Sequence, residues 1–225
     1  MATTATEERS TPEITQSAGR GGVVPYIVTW SEEKELPIKL VERAGIGLGF
    51  ADETTVDRDR DGILWNRISM QPGRGRPRFA VVHFMRQRRA MRRLLCQICA
   101  QPADSNEQGT LWLLPDRRDE WQDWPEGLDL AEPPICAPCA RVAARLCPHL
   151  REGWVAVRAR YAPLSGVKGF IYRPGCPSPI LVRDELVTYE NHATLRWTLA
   201  EQQLRTLHDC TLVSVGDSDR RRSGS

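Results

Sequence analysis

Two Cys-x-x-Cys pairs limit what this chain can fold into more than any other feature. Cys96-Gln97-Ile98-Cys99 and Cys136-Ala137-Pro138-Cys139 flank residues 100–135. Each short turn aims two sulfurs at one point, and two such turns complete a tetrahedron around a divalent cation. Paired turns of this kind are a four-thiolate zinc signature. The competing explanation, four separately buried thiols, has to produce two matched spacings by accident. The expectation is a structural Zn²⁺ held by Cys96, Cys99, Cys136 and Cys139. The chain has 7 cysteines in all, an odd number that suits metal and a reducing compartment better than disulfides. Cys147 and His149 form an alternative ligand pair, but the first four already fill the coordination sphere. Cys176 and Cys210 stand alone and read as inert thiols.

The local sequence also says how the sulfurs are carried. Gln101-Pro102-Ala103-Asp104 has turn composition, which makes Cys96–Cys99 a knuckle. Pro138 suits the first turn of a helix, Ala140 to Leu146 is helix-forming, and Pro148 stops it. The second pair therefore sits at a helix N-terminus, where the macrodipole favours thiolate. Knuckle, intervening hairpin and ligand-bearing helix resemble a treble clef, and the module resembles the four-cysteine scaffold of HNH endonucleases. In that family the hairpin between the pairs carries a catalytic His, usually preceded by Asp or Glu. Residues 100–135 contain no His, and the hairpin region reads Leu111-Trp112-Leu113-Leu114-Pro115, a packing strand. The resemblance thus implies the scaffold without a general base to activate water. The whole also resembles Arg-rich, four-cysteine zinc-knuckle proteins of high-GC bacteria, which implies a bacterial or bacteriophage setting.

Charge bears on partners only locally. The net charge is +2, but all basic residues except Lys34, Lys39 and Lys168 are arginine. Gly73-Arg74-Gly75-Arg76-Pro77-Arg78 holds the Arg-Gly-Arg-Pro core of an AT-hook, with Arg74 and Arg76 directed to a minor groove and Arg78 to phosphate. The bland alternative is a flexible basic loop. Phe84 to Leu95 reads as an amphipathic helix, with Phe84, Met91, Leu94 and Leu95 inward and Arg86, Arg89 and Arg93 opposite, Arg92 beside them. A face of one sign running into a knuckle suits phosphate. The expected partner is nucleic acid, DNA in the first instance, or else an acidic protein.

Other stretches are more ordinary. Residues 1–22 and 216–225 read as disordered tails. Strands are expected at 23–30, 38–41, 48–50, 63–68, 111–115, 154–161, 167–172 and 180–182. Gly45-Ile46-Gly47-Leu48-Gly49 lacks the context of a dinucleotide fingerprint. Asp57-Arg58-Asp59-Arg60-Asp61-Gly62 begins like a calcium loop, but Ile68 stands where the bidentate Glu belongs, so a β-turn explains it. The acidic stretch from Asp116 to Leu130, anchored by Trp121 and Trp124, is a surface loop that could also mask the arginine helix. Asn191 can cap a helix running to about His208.

The expected fold class is α+β: residues 23–82 β-rich, 83–150 a basic helix plus a treble-clef-like four-cysteine zinc module, and 151–215 strands plus a C-terminal helix. No signal-peptide pattern opens the chain, so the cytoplasm is the expected compartment, with no membrane partner. The functional expectation is a non-enzymatic, zinc-stabilised DNA-binding or regulatory accessory protein. Its rivals are an HNH-like nuclease using His83 or His149, and a protein-interaction module.

Overall fold

The computed structural model describes residues 23–215, so both expected tails lie outside the described residues. The elements, in order, are β1 (Val28–Trp30), β2 (Leu40–Arg43), β3 (Gly47–Phe50), β4 (Leu64–Trp65), β5 (Pro77–Val82), α1 (Phe84–Arg93), β6 (Ser105–Asn106), β7 (Gly109–Pro115), β8 (Asp129–Leu130), α2 (Ala137–Leu146), a 3-10 turn (Pro148–Leu150), β9 (Trp154–Tyr161), β10 (Leu164–Arg173), β11 (Ile180–Thr188), α3 (His192–Leu195), β12 (Thr198–Thr206) and β13 (His208–Val213). The chain is mixed α and β, as its alternating segments imply. No helix among the described residues is long and apolar enough to cross a membrane.

Two larger sheets carry the structure. One runs β13-β9-β7-β6, all antiparallel. In β7 the side chains alternate as a pleated strand requires. Leu111 and Leu113 join Cys96, Ile135, Cys139 and Ala156 on one face. Trp112 and Leu114 join Trp124, Leu130, Val157 and Leu207 on the other. A strand buried on both faces in this way ties the cysteine region to the rest of the core.

The second sheet runs β11-β10-β12, and the far edge of β12 is shared by β4 in parallel and β8 in antiparallel pairing. β12 lies where a helix from Asn191 to about His208 was expected. Asn191 does cap a helix, its side chain accepting from Thr194 N–H at 3.1 Å, but α3 stops at Leu195. Leu199-Ala200-Glu201-Gln202-Gln203-Leu204 is rich in helix formers, yet local propensity is a weak prior against pairing on both edges. Ladders to β10 and to β4 satisfy its backbone, and Leu199, Ala200 and Leu204 are buried. The pairings of β12 with β4 and β8 cross all three expected divisions of the chain.

Helix α1 lies across β12. Gln87 is the centre of its buried stripe: its amide donates to Gln203 O at 2.9 Å and to Ala131 O at 2.6 Å, and accepts from Gln203 N–H at 2.9 Å. Arg205 donates from Nε to Met91 O at 2.9 Å. Leu94 closes the helix in the left-handed region at φ 50 and turns the chain toward Cys96.

Candidate metal centre and basic surface

The first cysteine turn is built by backbone hydrogen bonds alone. Cys96 N–H donates to Gln101 O at 2.7 Å and Ala100 N–H to Cys96 O at 2.9 Å, with Ala100 at φ 61. The second turn is stitched to the first: Gln97 N–H donates to Pro134 O at 3.0 Å, and the Gln97 amide to Pro133 O at 3.0 Å. Asp104 N–H reaches Ile135 O at 3.2 Å, and Ile135 N–H reaches Leu111 O at 2.9 Å. Cys136 is then the N-cap of α2, with Pro138 in the first turn and Ala140 N–H donating to Cys136 O at 2.9 Å. The β6–β7 hairpin between the pairs is held tightly. Gly109, at φ 111, passes so near Ala159 that any Cβ would overlap its carbonyl.

These devices bring Cys96, Cys99, Cys136 and Cys139 together, with all four sulfurs within 4.8 Å of one another. Cys99 Sγ and Cys136 Sγ are 3.7 Å apart, far beyond an S–S bond of about 2.05 Å. A tetrahedron with metal–sulfur bonds of about 2.3 Å has edges of about 3.8 Å. The spacing fits a four-thiolate site, and the group could hold a metal ion.

The electrostatics fit as well. Hydrogen bonds from Cys136 and Cys139 hold the Cys96 thiol down to about 2 against its burial. Cys136 is lowered by a hydrogen bond from Cys139, but its contact with Cys96 and its burial outweigh that and push it up to about 12. Contact with Cys136 and Cys96, together with burial, raises Cys139. One thiolate thus shares protons with its neighbours, because like charges this close cannot all ionise alone. A bound cation is the charge that lets every sulfur do so. Cys147 packs against this cluster and His149 is exposed, but neither belongs to the four-sulfur group. Cys210 is raised to about 12 by burial and by Glu126.

Neither a family model, nor a curated protein, nor a solved structure matches this chain.

The arginine helix is phased differently from the sequence expectation. Phe84 and Met91 are buried as expected, but so is Arg86, at 2% exposure. Arg86 donates from Nη1 and Nη2 to Glu33 Oε1 and Oε2, each at 2.6 Å, and from Nη2 to Val28 O at 2.6 Å. Arg86 is therefore removed from the expected contact face, because centring the buried stripe on Gln87 turns it inward. Leu94 and Leu95 are only half-buried. Arg89 and Arg93 do face solvent, and Arg89 donates to the Tyr26 hydroxyl at 3.0 Å. Arg92 is exposed but lies 3.7 Å from Asp59.

Asp59 is a hub that the sequence did not disclose. Its Oδ1 accepts from Asp61 and Ile63 N–H groups, and its Oδ2 from the Trp65 indole at 2.9 Å and from Arg88 at 3.3 Å. Gly62 N–H donates to Asp59 O at 3.1 Å, the β-turn expected there. The carboxylates of this loop are thus engaged by arginines: Asp57 takes Arg67 through both oxygens at 2.7 Å. The acidic stretch from Asp116 does not pair with α1: Asp116 and Glu120 bind Arg118 and Arg117 of their own loop, and Glu126 meets His208 at 3.2 Å. No sequence signal linked Asp59 to α1, for the partners are 29 residues apart.

Arg74, Arg76 and Arg78 are exposed. Their segment is a turn and a strand rather than a freely extended hook. Gly73 and Gly75 take φ 80 and 82, Arg76 N–H donates to Ser31 Oγ at 3.0 Å, and Arg78 pairs with Thr29 in the β1–β5 ladder. Around α1 the arginine ion pairs fall on Arg86, Arg88 and Arg92. Arg74, Arg76, Arg78, Arg89 and Arg93 have no acidic partner among the described residues.

Proposed function

We propose that this chain is a DNA-binding accessory protein of a bacterium or bacteriophage, with a structural zinc centre and no hydrolytic chemistry of its own. Five exposed arginines without acidic partners, close together in sequence between Arg74 and Arg93, carry the reading. Side chains of one sign that the protein leaves unneutralised are the electrostatic footprint of a phosphate-binding surface. One of them, Arg89, is also tied to the cysteine module through Tyr26. Tyr26 N–H donates to Ile98 O at 2.9 Å and Ile27 N–H to Gln97 O at 3.3 Å, so the first cysteine turn holds the segment on which Arg89 rests. Zinc is the preferred metal because a closed four-thiolate set suits a structural, redox-silent ion. The order knuckle, hairpin, helix supports a treble clef.

The placement of His83 argues against its use in a nuclease. His83 is fully buried, its Nε2 3.2 Å from Ser69 O, where no scissile phosphate can reach it. Burial and the charge of Arg86 both lower its pKa, although Glu33 opposes them. The test is fluorescence anisotropy with mixed-sequence duplex DNA across a salt series. If all five arginines meet phosphate, log affinity falls with log salt at a slope of about −4.5. Salt-independent retention or none refutes the reading and leaves an acidic protein as the partner of this face. Plasmid cleavage in Mg²⁺ or Mn²⁺ refutes the non-hydrolytic part.

A further inference from the structure

The most apolar exposed strand in the structure is β11, which forms one edge of its sheet. Ile180, Leu181, Val182 and Leu186 are each 42–53% exposed there, and only Val187 is buried. An open edge offers unpaired N–H and C=O groups, and proteins usually blunt it with charge, bulges or a cover. Here Arg183, Asp184 and Glu185 sit in the middle of the apolar residues. They begin a stretch of six residues in regular register with β10, Arg183↔Ile171 to Thr188↔Gly166, after a shift at Val182.

We propose that β11 is a docking edge for a second copy of this chain, paired antiparallel with its own symmetry mate about Asp184. The charge order selects both the partner and the register. A twofold axis normal to the sheet keeps facing side chains on one face only when the pairing is centred on a residue. Centring on Arg183 sets Arg183 against itself and Glu185 against Leu181, and centring on Glu185 sets Glu185 against itself and Arg183 against Val187, so neither register forms an ion pair between the copies. Like charges directly opposite are destabilising. Centring on Asp184 sets Arg183 against Glu185 of the second copy, and the reverse, so that both pairs form together. Within one chain these two side chains already pair across the same face, so the dimer closes a ring of two arginines and two glutamates. The same register brings the exposed Val182 and Leu186 of the two copies together at both ends of the charged stretch. On the opposite face Asp184 meets its own copy, and each is neutralised by its Lys168, with Nζ at 3.6 Å. β11 is thus self-complementary in charge and in apolar content, which is what an isologous contact demands. The edge is short, so the association is weak and concentration-dependent.

The test is sedimentation velocity of the full chain over a concentration series. The parent should show a reversible monomer–dimer equilibrium. Arg183→Glu and Glu185→Arg each turn two attractive pairs into repulsive ones and should weaken the dimer about tenfold. The double reversal, Arg183→Glu with Glu185→Arg, should restore it. Leu186→Lys should weaken it in both the parent and the double variant. All these positions are exposed, and thermal melts of dilute samples verify that the variants fold. Should a single reversal misfold, the double variant and Leu186→Lys still report on the contact. A monomer at every concentration, or a dimer indifferent to the single reversals, or a double variant that stays weak, overturns the proposal.

Discussion

Glu33→Gln is the sharpest probe of how this structure differs from its sequence pattern. Glu33 and Arg86 are 1% and 2% exposed and joined by two hydrogen bonds of 2.6 Å. Glu33 also accepts from Trp30 N–H at 2.8 Å and Gln71 N–H at 3.1 Å. Burial is the largest influence on its carboxyl and pushes the pKa up, but Arg86 and these amides outweigh it and leave it lowered. Replacing the carboxylate by a near-isosteric amide keeps the volume and strands a buried guanidinium. Breaking such a pair from one side costs about 3–5 kcal/mol. That is a large share of the 5–15 kcal/mol of an ordinary fold. Urea denaturation reads it directly: with a slope of about 2–3 kcal/mol/M, the midpoint should fall by about 1–2.5 M. The double variant Glu33→Met with Arg86→Met removes both charges and should recover most of the loss. A Glu33→Gln midpoint within about 0.3 M of the parent would mean that water screens the pair, and the buried placement of Arg86 would be wrong.

Three further outcomes follow from the same geometry. Metal analysis of purified protein should find about one zinc per chain, and Cys139→Ser should lose it and unfold the cysteine module, since binding and folding share one free energy; a metal-free, stable parent refutes the centre. Arg89→Glu and Arg93→Glu should each weaken DNA binding and make the salt slope shallower by about 0.9, while variants of Arg86 that still fold leave the slope unchanged; a shallower slope from Arg86 alone would contradict its burial. Asp57 is held at about 2, against 3.8 when unperturbed, chiefly by hydrogen bonds from Arg67 that overcome its burial. A carboxyl lowered in the folded state adds stability above its unfolded pKa and loses it as pH falls through the folded one. About 2 kcal/mol should therefore drain away between about pH 5 and pH 2, and the loss in this window should shrink in Asp57→Asn when urea midpoints are measured against pH.

What the sequence disclosed was local. Cys-x-x-Cys spacing, Pro138 in a first helical turn and the alternation of Leu111 to Leu114 are signals carried within a few residues, and the structure realises each. Trp154–Tyr161 appears with the bounds its β-branched and aromatic content implied. What stayed hidden depends on partners far along the chain. Arg86 follows the arginine pattern of its neighbours, and nothing in Ser31-Glu32-Glu33 marks the carboxylate that turns it inward. β12 has the composition of a helix and becomes a strand because β10 and β4 supply hydrogen bonds on both sides. The exposed arginines between positions 74 and 93 were in part legible, because Arg74, Arg76, Arg78, Arg89 and Arg93 were all named from sequence. Which members of the cluster are spent on Asp59 and Glu33 was not.

The position of β12 after every strand it pairs with also sets the order in which the fold can be made. During synthesis the N-terminal segments emerge first, yet β4 and β8 find their ladder partner only in residues 198–206. Contacts this distant in sequence form slowly, and strand edges that wait for them stay open to wrong pairings. The cysteine module can close earlier, because the hydrogen bonds of its two turns reach back to Tyr26 but no further along the chain than residue 140. On a ribosome the four-cysteine module can then form well before the second sheet is complete. It holds the nascent chain in register for roughly sixty more residues until the central strand arrives to close the sheet.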